Sequence, residues 1–278
     1  MKKLVWYLKE LMKEFSKDNV PLLAAAQAYY YLLSLIPLLI LLLAILPYLN
    51  INTDTAIQAI EAIMPGELGE IFQEQIVSIL TVPQGGLLTV GIIATIWTAS
   101  NGMNAFIKAQ NEAYNVTEIR SFWKARLVST GLTLGLIVAM IIALILPVFG
   151  NAIIAFVDSI VTLPEETEIL FQILRWTVSI VIIATVVASL YYIAPNIKIP
   201  FKYALPGAAF TTIAWQLMSL GFSIYISNFA SYSETYGSLG GVVILMVWFF
   251  LIGNILVIGA EINAIHYRAK KGSTPGQD

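Results

Sequence analysis

The clearest membrane-spanning pattern in this chain lies at residues 239–262, whose sequence is LGGVVILMVWFFLIGNILVIGAEI. Glu261 is the only charged residue in this stretch. A helix of this length, rising about 1.5 Å per residue, exceeds the roughly 30 Å hydrocarbon core of a bilayer. Of the 278 residues, 58% are hydrophobic and only 12% are charged, whereas soluble domains carry about a quarter charged residues. This composition excludes soluble and disordered proteins and predicts an all-α, polytopic membrane protein.

Apolar runs of similar length recur along the chain and predict a bundle of six transmembrane helices in a single transmembrane domain over residues 1–271. The predicted spans cover about residues 21–46, 87–107, 127–149, 174–193, 205–226 and 239–262. Residues 2–17 place leucines on one helical face and lysines on another, which predicts an amphipathic helix at the membrane interface. Asp18, Asn19 and Pro21 predict the end of this helix and the start of the first span. We also expect two amphipathic helices within residues 50–86, a short helix over residues 158–172 and a disordered tail over residues 272–278.

The basic residues predict the orientation of these spans. Every Lys and Arg except Arg175 lies in the N-terminal segment, in the second or fourth loop, or in the C-terminal tail. The other loops contain acidic residues instead. Because loops rich in Lys and Arg remain in the cytoplasm, we predict a multi-pass protein with both termini cytoplasmic. Arg175 is expected at the outer end of the fourth span, where its long side chain can reach the interface.

Polar side chains follow helical spacing on four of the predicted spans. They are Gln27, Tyr30 and Ser34 on the first, Asn101 and Asn104 on the second, Gln216 on the fifth, and Asn254 and Glu261 on the sixth. Polar groups in hydrocarbon face the interior of a helix bundle. One interpretation is a hydrated substrate pathway that opens to the cytoplasm. The alternative is that these side chains form hydrogen bonds between helices and only hold the bundle together.

Two further features allow more than one interpretation. Glu261 could bind a cation, a proton or a cationic head group, or it could pair with a basic residue at the cytoplasmic interface. The partners considered for such a pair are Lys108, Arg126 and Arg268. Gly131 and Gly135 form a GxxxG pattern, which favours close packing within one bundle over a seam between two copies. The sequence therefore leaves open whether the protein forms a homo-oligomer.

The composition also limits the chemistry available to the chain. There is no cysteine and only one histidine, His266, so the sequence predicts no thiolate chemistry and no cysteine-ligated metal. Hydrolytic metal sites need several His or carboxylate ligands that converge on an ion. We find no such pattern and predict no catalytic residue, no metal site, no cofactor and no enzymatic activity. The net charge of −2 argues against nucleic acid as a partner.

Several stretches together resemble the YihY/BrkB family of bacterial inner-membrane proteins. These stretches are AAAQAYYYLLSLIP at 24–37, NEAYNV at 111–116, RSFWKAR at 120–126, YSETYGSLG at 232–240 and GAEINA at 259–264. The resemblance implies a six-span, all-helical protein of the bacterial inner membrane. Members have carried a ribonuclease BN label, which is a historical mislabel, a virulence label, and suggestions that they transport lipid-linked envelope precursors. Asn101–Gly102 departs from the family pattern, which has a basic residue beside the glycine in many members.

These observations lead to a predicted function in the membrane. We expect a transporter, flippase or scramblase that moves a lipid, a lipid-linked envelope precursor or a small amphipathic substrate through a polar cavity open to the cytoplasm. A basic rim formed by Lys108, Lys124, Arg126 and Lys202 would attract anionic head groups. The alternative is a non-transporting scaffold or regulator of envelope assembly that uses the outer amphipathic helices as a docking surface.

Overall fold

The structure is a computed structural model that describes residues 2–45, 85–139, 165–228 and 238–271. Its helices are α1 (Lys2–Lys17), α2 (Val20–Ile45), α3 (Gly85–Ala113), α4 (Phe122–Ala139), α5 (Glu165–Ile193), α6 (Leu205–Asn228) and α7 (Ser238–Lys271). A single 3-10 turn, Phe201–Tyr203, precedes α6. No β-strand occurs in these four ranges. The predicted all-α class is therefore confirmed for the described part of the chain.

Four of these helices are long and apolar enough to cross a membrane. They contain the segments Val20–Leu38, Gly85–Ala113, Phe122–Ala139 and Gly241–Lys271, which correspond to the first, second, third and sixth predicted spans. The apolar run on α5 is shorter, Ile180–Ile193. Helix α6 occupies the position of the fifth predicted span, but it is not among the described helices apolar enough to qualify. The structure thus supports four spans, and the count of six stays a prediction.

Several helices extend beyond their predicted ends. Helix α3 continues to Ala113, which is buried in the protein core. Helix α7 continues to Lys271; Ala264 and Ile265 beyond the predicted end are buried, whereas its last turn is exposed. Helix α4 begins at Phe122, earlier than the predicted residue 127. The separate short helix predicted over 158–172 is wrong from Glu165 onward, where α5 is one continuous helix. Most of the predicted outer segment 50–86, the end of the third span and the tail 272–278 lie outside the described residues.

The break between α1 and α2 follows the prediction from Asp18, Asn19 and Pro21. Helix α1 ends at Lys17 and α2 begins at Val20. Between them, Asn19 has a φ of 49°, in the left-handed region that asparagine tolerates better than most residues. Pro21 falls in the first turn of α2, where its missing N–H removes no helical hydrogen bond. The turn interrupts the helix, and α1 packs against α7.

The described chain forms two compact units. The smaller unit comprises residues 30–99, in which Gly91 of α3 approaches the backbone of Leu41 of α2. The larger unit comprises residues 1–29 and 100–278. In the larger unit, α6 packs against both α5 and α7, and α1 packs against α7. Its buried core includes Phe106, whose ring stacks on that of Tyr191 at a centroid distance of 5.9 Å.

Two glycines and a polar network allow the close approach of α5, α6 and α7. A Cβ at Gly207 would collide with the carbonyl oxygen of Gly259, and a Cβ at Gly259 would collide with the hydroxyls of Tyr191 and Thr211. These hydroxyls lie 2.6 Å apart, and the Tyr191 hydroxyl also donates to the carbonyl of Leu256 at 2.8 Å. The three helices therefore meet through hydroxyl groups in the space that glycine leaves open.

The N-terminus of α6 is capped by a side chain from α7. Ala204, which precedes α6, has no side-chain acceptor for the free N–H groups of the first turn. The side-chain oxygen of Asn263 accepts a hydrogen bond from the backbone N–H of Gly207 at 2.7 Å. Asn263 is fully buried. This contact fixes the axial position of α6 relative to the C-terminal half of α7.

Candidate functional site

Three buried carboxylates converge where α1 packs on α7. Glu14 and Asp18 come from the C-terminal end of α1 and the turn after it, and Glu261 comes from α7. One carboxylate oxygen from each residue lies within 4.8 Å of the other two. The exposed fractions of these residues are 1%, 4% and 0%, respectively. We refer to Glu14, Asp18 and Glu261 as the acid trio.

Two basic side chains contact the acid trio. The Lys17 ammonium lies 3.1 Å from Glu14 Oε2 and 3.4 Å from Asp18 Oδ1, and it also donates to Asn115 Oδ1 at 2.8 Å. The Arg268 guanidinium lies 3.4 Å from Glu14 Oε1. Burial disfavours the Lys17 cation, but its hydrogen bond to Glu14 and the negative charge of Asp18 outweigh burial and raise the pKa of Lys17 above its ordinary value. Lys17 therefore remains protonated at neutral pH.

Glu261 differs from the other two acids because it takes part in no ion pair of the described residues, and the carboxyl group of Asp18 acts on it instead. Both of its carboxylate oxygens are buried and lack a hydrogen-bond partner. Its predicted pairing with Lys108, Arg126 or Arg268 is not found among the ion pairs of these residues, and the charges of Asp18 and Glu14 act on it more strongly than that of Arg268. A buried, unpaired carboxylate is costly, so its charge must be offset by a proton or a cation.

The acid trio could hold a cation, but it is too deeply buried for a nucleic acid to reach it. Carboxylate oxygens are ligands for hard cations such as Mg²⁺ and Ca²⁺. Hydrolysis of a nucleic acid would also require access for a phosphodiester and its attacking water, and all three residues are almost completely buried. The structure thus contains converging carboxylates that the sequence did not predict. Their burial favours ion binding over nuclease chemistry.

The structure brings one predicted pathway residue together with one predicted rim residue. Arg126 on α4 donates from Nη1 to Oδ1 of Asn101 on α3 at 2.5 Å. Both residues are partly buried in the larger unit. Asn101 stands where the family resemblance leads us to expect a basic residue, and Arg126 supplies a positive charge to this position from the neighbouring helix.

Three other pathway residues form hydrogen bonds within their own helices. Asn254 donates to the carbonyl of Phe250 at 2.8 Å, and Ser34 donates to that of Tyr31 at 2.6 Å. Gln27 is fully buried, and one of its contacts is a long hydrogen bond of 3.5 Å to the carbonyl of Leu23. The alternative interpretation of the polar faces requires hydrogen bonds between helices. The hydrogen bonds of Asn254 and Ser34 stay within one helix, whereas that from Arg126 to Asn101 joins two helices.

The remaining predicted site residues are spread over the two units. Tyr30 and Ser34 belong to the smaller unit, whereas Asn104, Gln216, Asn254 and Glu261 belong to the larger one. Gln216 is exposed on α6, and Asn104 is partly buried on α3. The three rim lysines, Lys108, Lys124 and Lys202, are all exposed. Their assignment to a substrate pathway stays a prediction.

Among the described residues, the packing predicted for the GxxxG pattern within one bundle is not found. Gly131 and Gly135 are exposed on α4, and no described atom lies within 4 Å of a Cβ built at either position.

Glu14, Asp18 and Asn263 were not predicted from the sequence as site residues. A signal for the first two is present in the chain, because Leu11, Glu14, Phe15 and Asp18 follow the spacing i, i+3, i+4 and i+7 of one helical face. Two acids on the face that carries Leu11 and Phe15 indicate buried carboxylates. No comparable local signal identifies Asn263, because its partner, Gly207, lies in another helix.

Comparisons with known proteins give a consistent family assignment. A sequence profile described as Virulence factor BrkB matches residues 11–278. A ribonuclease-like protein of Bacillus subtilis, YfkH, is 41% identical over 95% of this chain and 96% of its own length. A UPF0761 membrane protein of Photobacterium profundum is 30% identical over 95% of this chain and 82% of its own length. No solved structure matches the chain significantly. The chain therefore belongs to the BrkB family of membrane proteins.

Proposed function

We propose that this protein moves a lipid or a lipid-linked envelope precursor across the bacterial inner membrane, with both of its termini in the cytoplasm. The substrate would follow a polar path along the membrane helices. This path would use Gln27, Tyr30, Ser34, Asn101, Asn104, Gln216, Asn254 and Glu261. It would open to the cytoplasm beside the basic rim of Lys108, Lys124, Arg126 and Lys202.

The observation that carries this proposal is the contact between Arg126 and Asn101. It links a permanent positive charge to an amide on a helix that is apolar enough to span a membrane. Guanidinium groups bind phosphate oxygens through paired hydrogen bonds. The Arg126 side chain is only partly buried. A lipid phosphate at this position would meet Arg126 first and the Asn101 amide next.

The exposed lysines of the basic rim also support the binding of anionic head groups near Arg126. Lys108 and Lys124 lie on the same helices as Asn101 and Arg126, and Lys202 lies in the turn before α6. Each basic residue close to an anionic membrane surface contributes about 1 kcal/mol of attraction. Such a rim would concentrate anionic head groups before one of them reaches Arg126.

Reconstitution tests this function directly. The full chain is inserted into liposomes that contain a fluorescent anionic phospholipid, and the fraction of label that dithionite can bleach reports movement between leaflets. We expect the wild-type protein to accelerate movement over empty liposomes, and we expect Arg126→Gln to slow it at least tenfold. Asn101→Leu combined with Asn254→Leu should have a similar effect.

Two control variants remove polar groups elsewhere. Lys198→Gln removes an exposed charge from the loop before α6, and Thr185→Val removes a hydroxyl that bonds within α5. Both should retain the wild-type rate. Lipid movement that is absent from the folded wild-type protein, or unchanged in Arg126→Gln, would exclude transport and favour the non-transporting scaffold.

A further inference from the structure

We propose that Glu14, Asp18 and Glu261 bind one divalent cation of the oxygen-preferring class and that this cation fastens helix α1 to helix α7. Two ligands would come from the α1 end and one from α7, so the ion would bridge two segments that are distant in sequence. The proposal does not depend on lipid movement, since the ion can be measured on the purified protein.

The spacing of the acid trio suits one ion. Calcium holds oxygen ligands at about 2.3–2.6 Å, so two ligands on opposite sides of the ion lie at most about 5 Å apart. The oxygens of the acid trio lie within 4.8 Å of one another. Mg²⁺ would draw them closer, because its ligands lie at about 2.0–2.1 Å. Three carboxylates with no nitrogen or sulfur ligand favour Mg²⁺, Ca²⁺ or Mn²⁺ over copper or zinc.

The balance of charge also favours a bound cation. Lys17 and Arg268 offset two of the three carboxylates, and both of them contact Glu14. Glu261 is fully buried and both of its oxygens lack a hydrogen-bond partner, as does Oδ2 of Asp18. Asp18 and Glu261 belong to different segments, and one carboxylate oxygen of each lies within 4.8 Å of the other, which is close enough to share one ion.

A proton shared between Asp18 and Glu261 is the competing explanation. It would offset the same single negative charge and would require no metal. The two explanations differ in their response to a metal titration, because a site that needs only a proton gains nothing from Mn²⁺ at neutral pH.

Lys17 gives the site a built-in competitor. Its ammonium contacts both α1 acids, and 46% of its side chain is exposed. A divalent cation must displace this ammonium or share the two carboxylates with it. Replacing Lys17 with methionine should therefore strengthen metal binding severalfold, whereas a structural ion-pair role alone predicts no change in metal affinity.

The test is a Mn²⁺ titration of the full chain in nanodiscs after treatment with EDTA, with free Mn²⁺ measured by electron paramagnetic resonance at pH 7. We expect one saturable ion per chain, and competition by Mg²⁺ or Ca²⁺. Glu261→Gln and Asp18→Asn should each weaken Mn²⁺ binding at least tenfold. Glu10→Gln is the matched control, because Glu10 lies one turn earlier on α1 and pairs with Lys13, and it should bind like the wild type.

Each result decides the proposal. Folded wild-type protein without saturable Mn²⁺ binding, or Glu261→Gln with wild-type affinity, would overturn it in favour of the shared proton. Where Glu261→Gln and Asp18→Asn do not fold, Lys17→Met decides, since an affinity no higher than that of the wild type contradicts the proposed site. Lipid movement is not part of this readout, so failure of the metal site leaves the proposed transport to its own experiment.

Discussion

The two halves of helix α7 are both apolar, yet they contact different surroundings. In the N-terminal half, Gly241–Val247, most side chains are exposed, including Val243 at 60%. In the C-terminal half, Gly253–Ile265, small and polar residues alternate with aliphatic ones, and Val257, Ala260 and Glu261 are fully buried. One helix therefore has mostly exposed side chains in its N-terminal half and packs against other helices through its C-terminal half.

This difference shows how a membrane protein places its polar groups. Between apolar helices in lipid, association relies on close packing and on hydrogen bonds rather than on the hydrophobic effect. The C-terminal half of α7 provides the glycines that allow this packing and the side chains that use it. Gly259 admits two hydroxyls, Asn263 caps α6, and Glu261 meets the acids of α1.

The largest difference in stability between the two halves of α7 is expected when one glycine in each half is replaced by alanine. Gly259→Ala should lower the free energy of unfolding by about 3 kcal/mol, because its Cβ collides with the Tyr191 and Thr211 hydroxyls in a packed interior. Gly241→Ala should raise it by about 0.5 kcal/mol, because its Cβ meets no described atom and alanine favours the helix. Unfolding by SDS in mixed micelles measures both. Equal effects would refute the assignment of close packing to the C-terminal half alone.

A smaller effect is expected from the two asparagines of α7. Asn263→Leu should destabilise the protein by about 2 kcal/mol, because the N–H of Gly207 loses its acceptor in a buried place. Asn254→Leu should change stability by less than about 1 kcal/mol, since Asn254 is only partly buried and its amide bonds to its own helix. The same mixed-micelle unfolding experiment compares them. A larger loss of stability for Asn254→Leu than for Asn263→Leu would contradict the stabilising role of the Asn263 cap on α6.

The smallest difference is expected from valine truncation. Val257→Ala should lower the free energy of unfolding by about 1.5 kcal/mol, because it leaves space in the cluster with Val20 and Ala109. Val243→Ala should lie within about 0.5 kcal/mol of the wild type, because lipid or detergent can occupy the space that it leaves. Indistinguishable unfolding curves for the two variants would mean that the C-terminal half is not packed as described.

The sequence by itself determined the features that depend on neighbouring residues. The hydropathy of 239–262 predicted a membrane helix, and residues 241–271 form one that is long and apolar enough to span. Asp18, Asn19 and Pro21 predicted the break after α1, and the break is present. Hydropathy, helical spacing and turn chemistry are local, so they can be read along a single segment.

Only the tertiary structure decided which distant residues meet. The sequence placed Glu261 near the cytoplasmic interface with three candidate basic partners, and the structure instead placed it beside Glu14 and Asp18. It also paired Arg126 with Asn101 and placed the Asn263 side chain at the start of α6. These contacts depend on the rotation and axial position of one helix against another. Those quantities are set by packing over whole helix faces. Gly207 of α6 and Gly259 of α7 determine how closely α5, α6 and α7 approach one another.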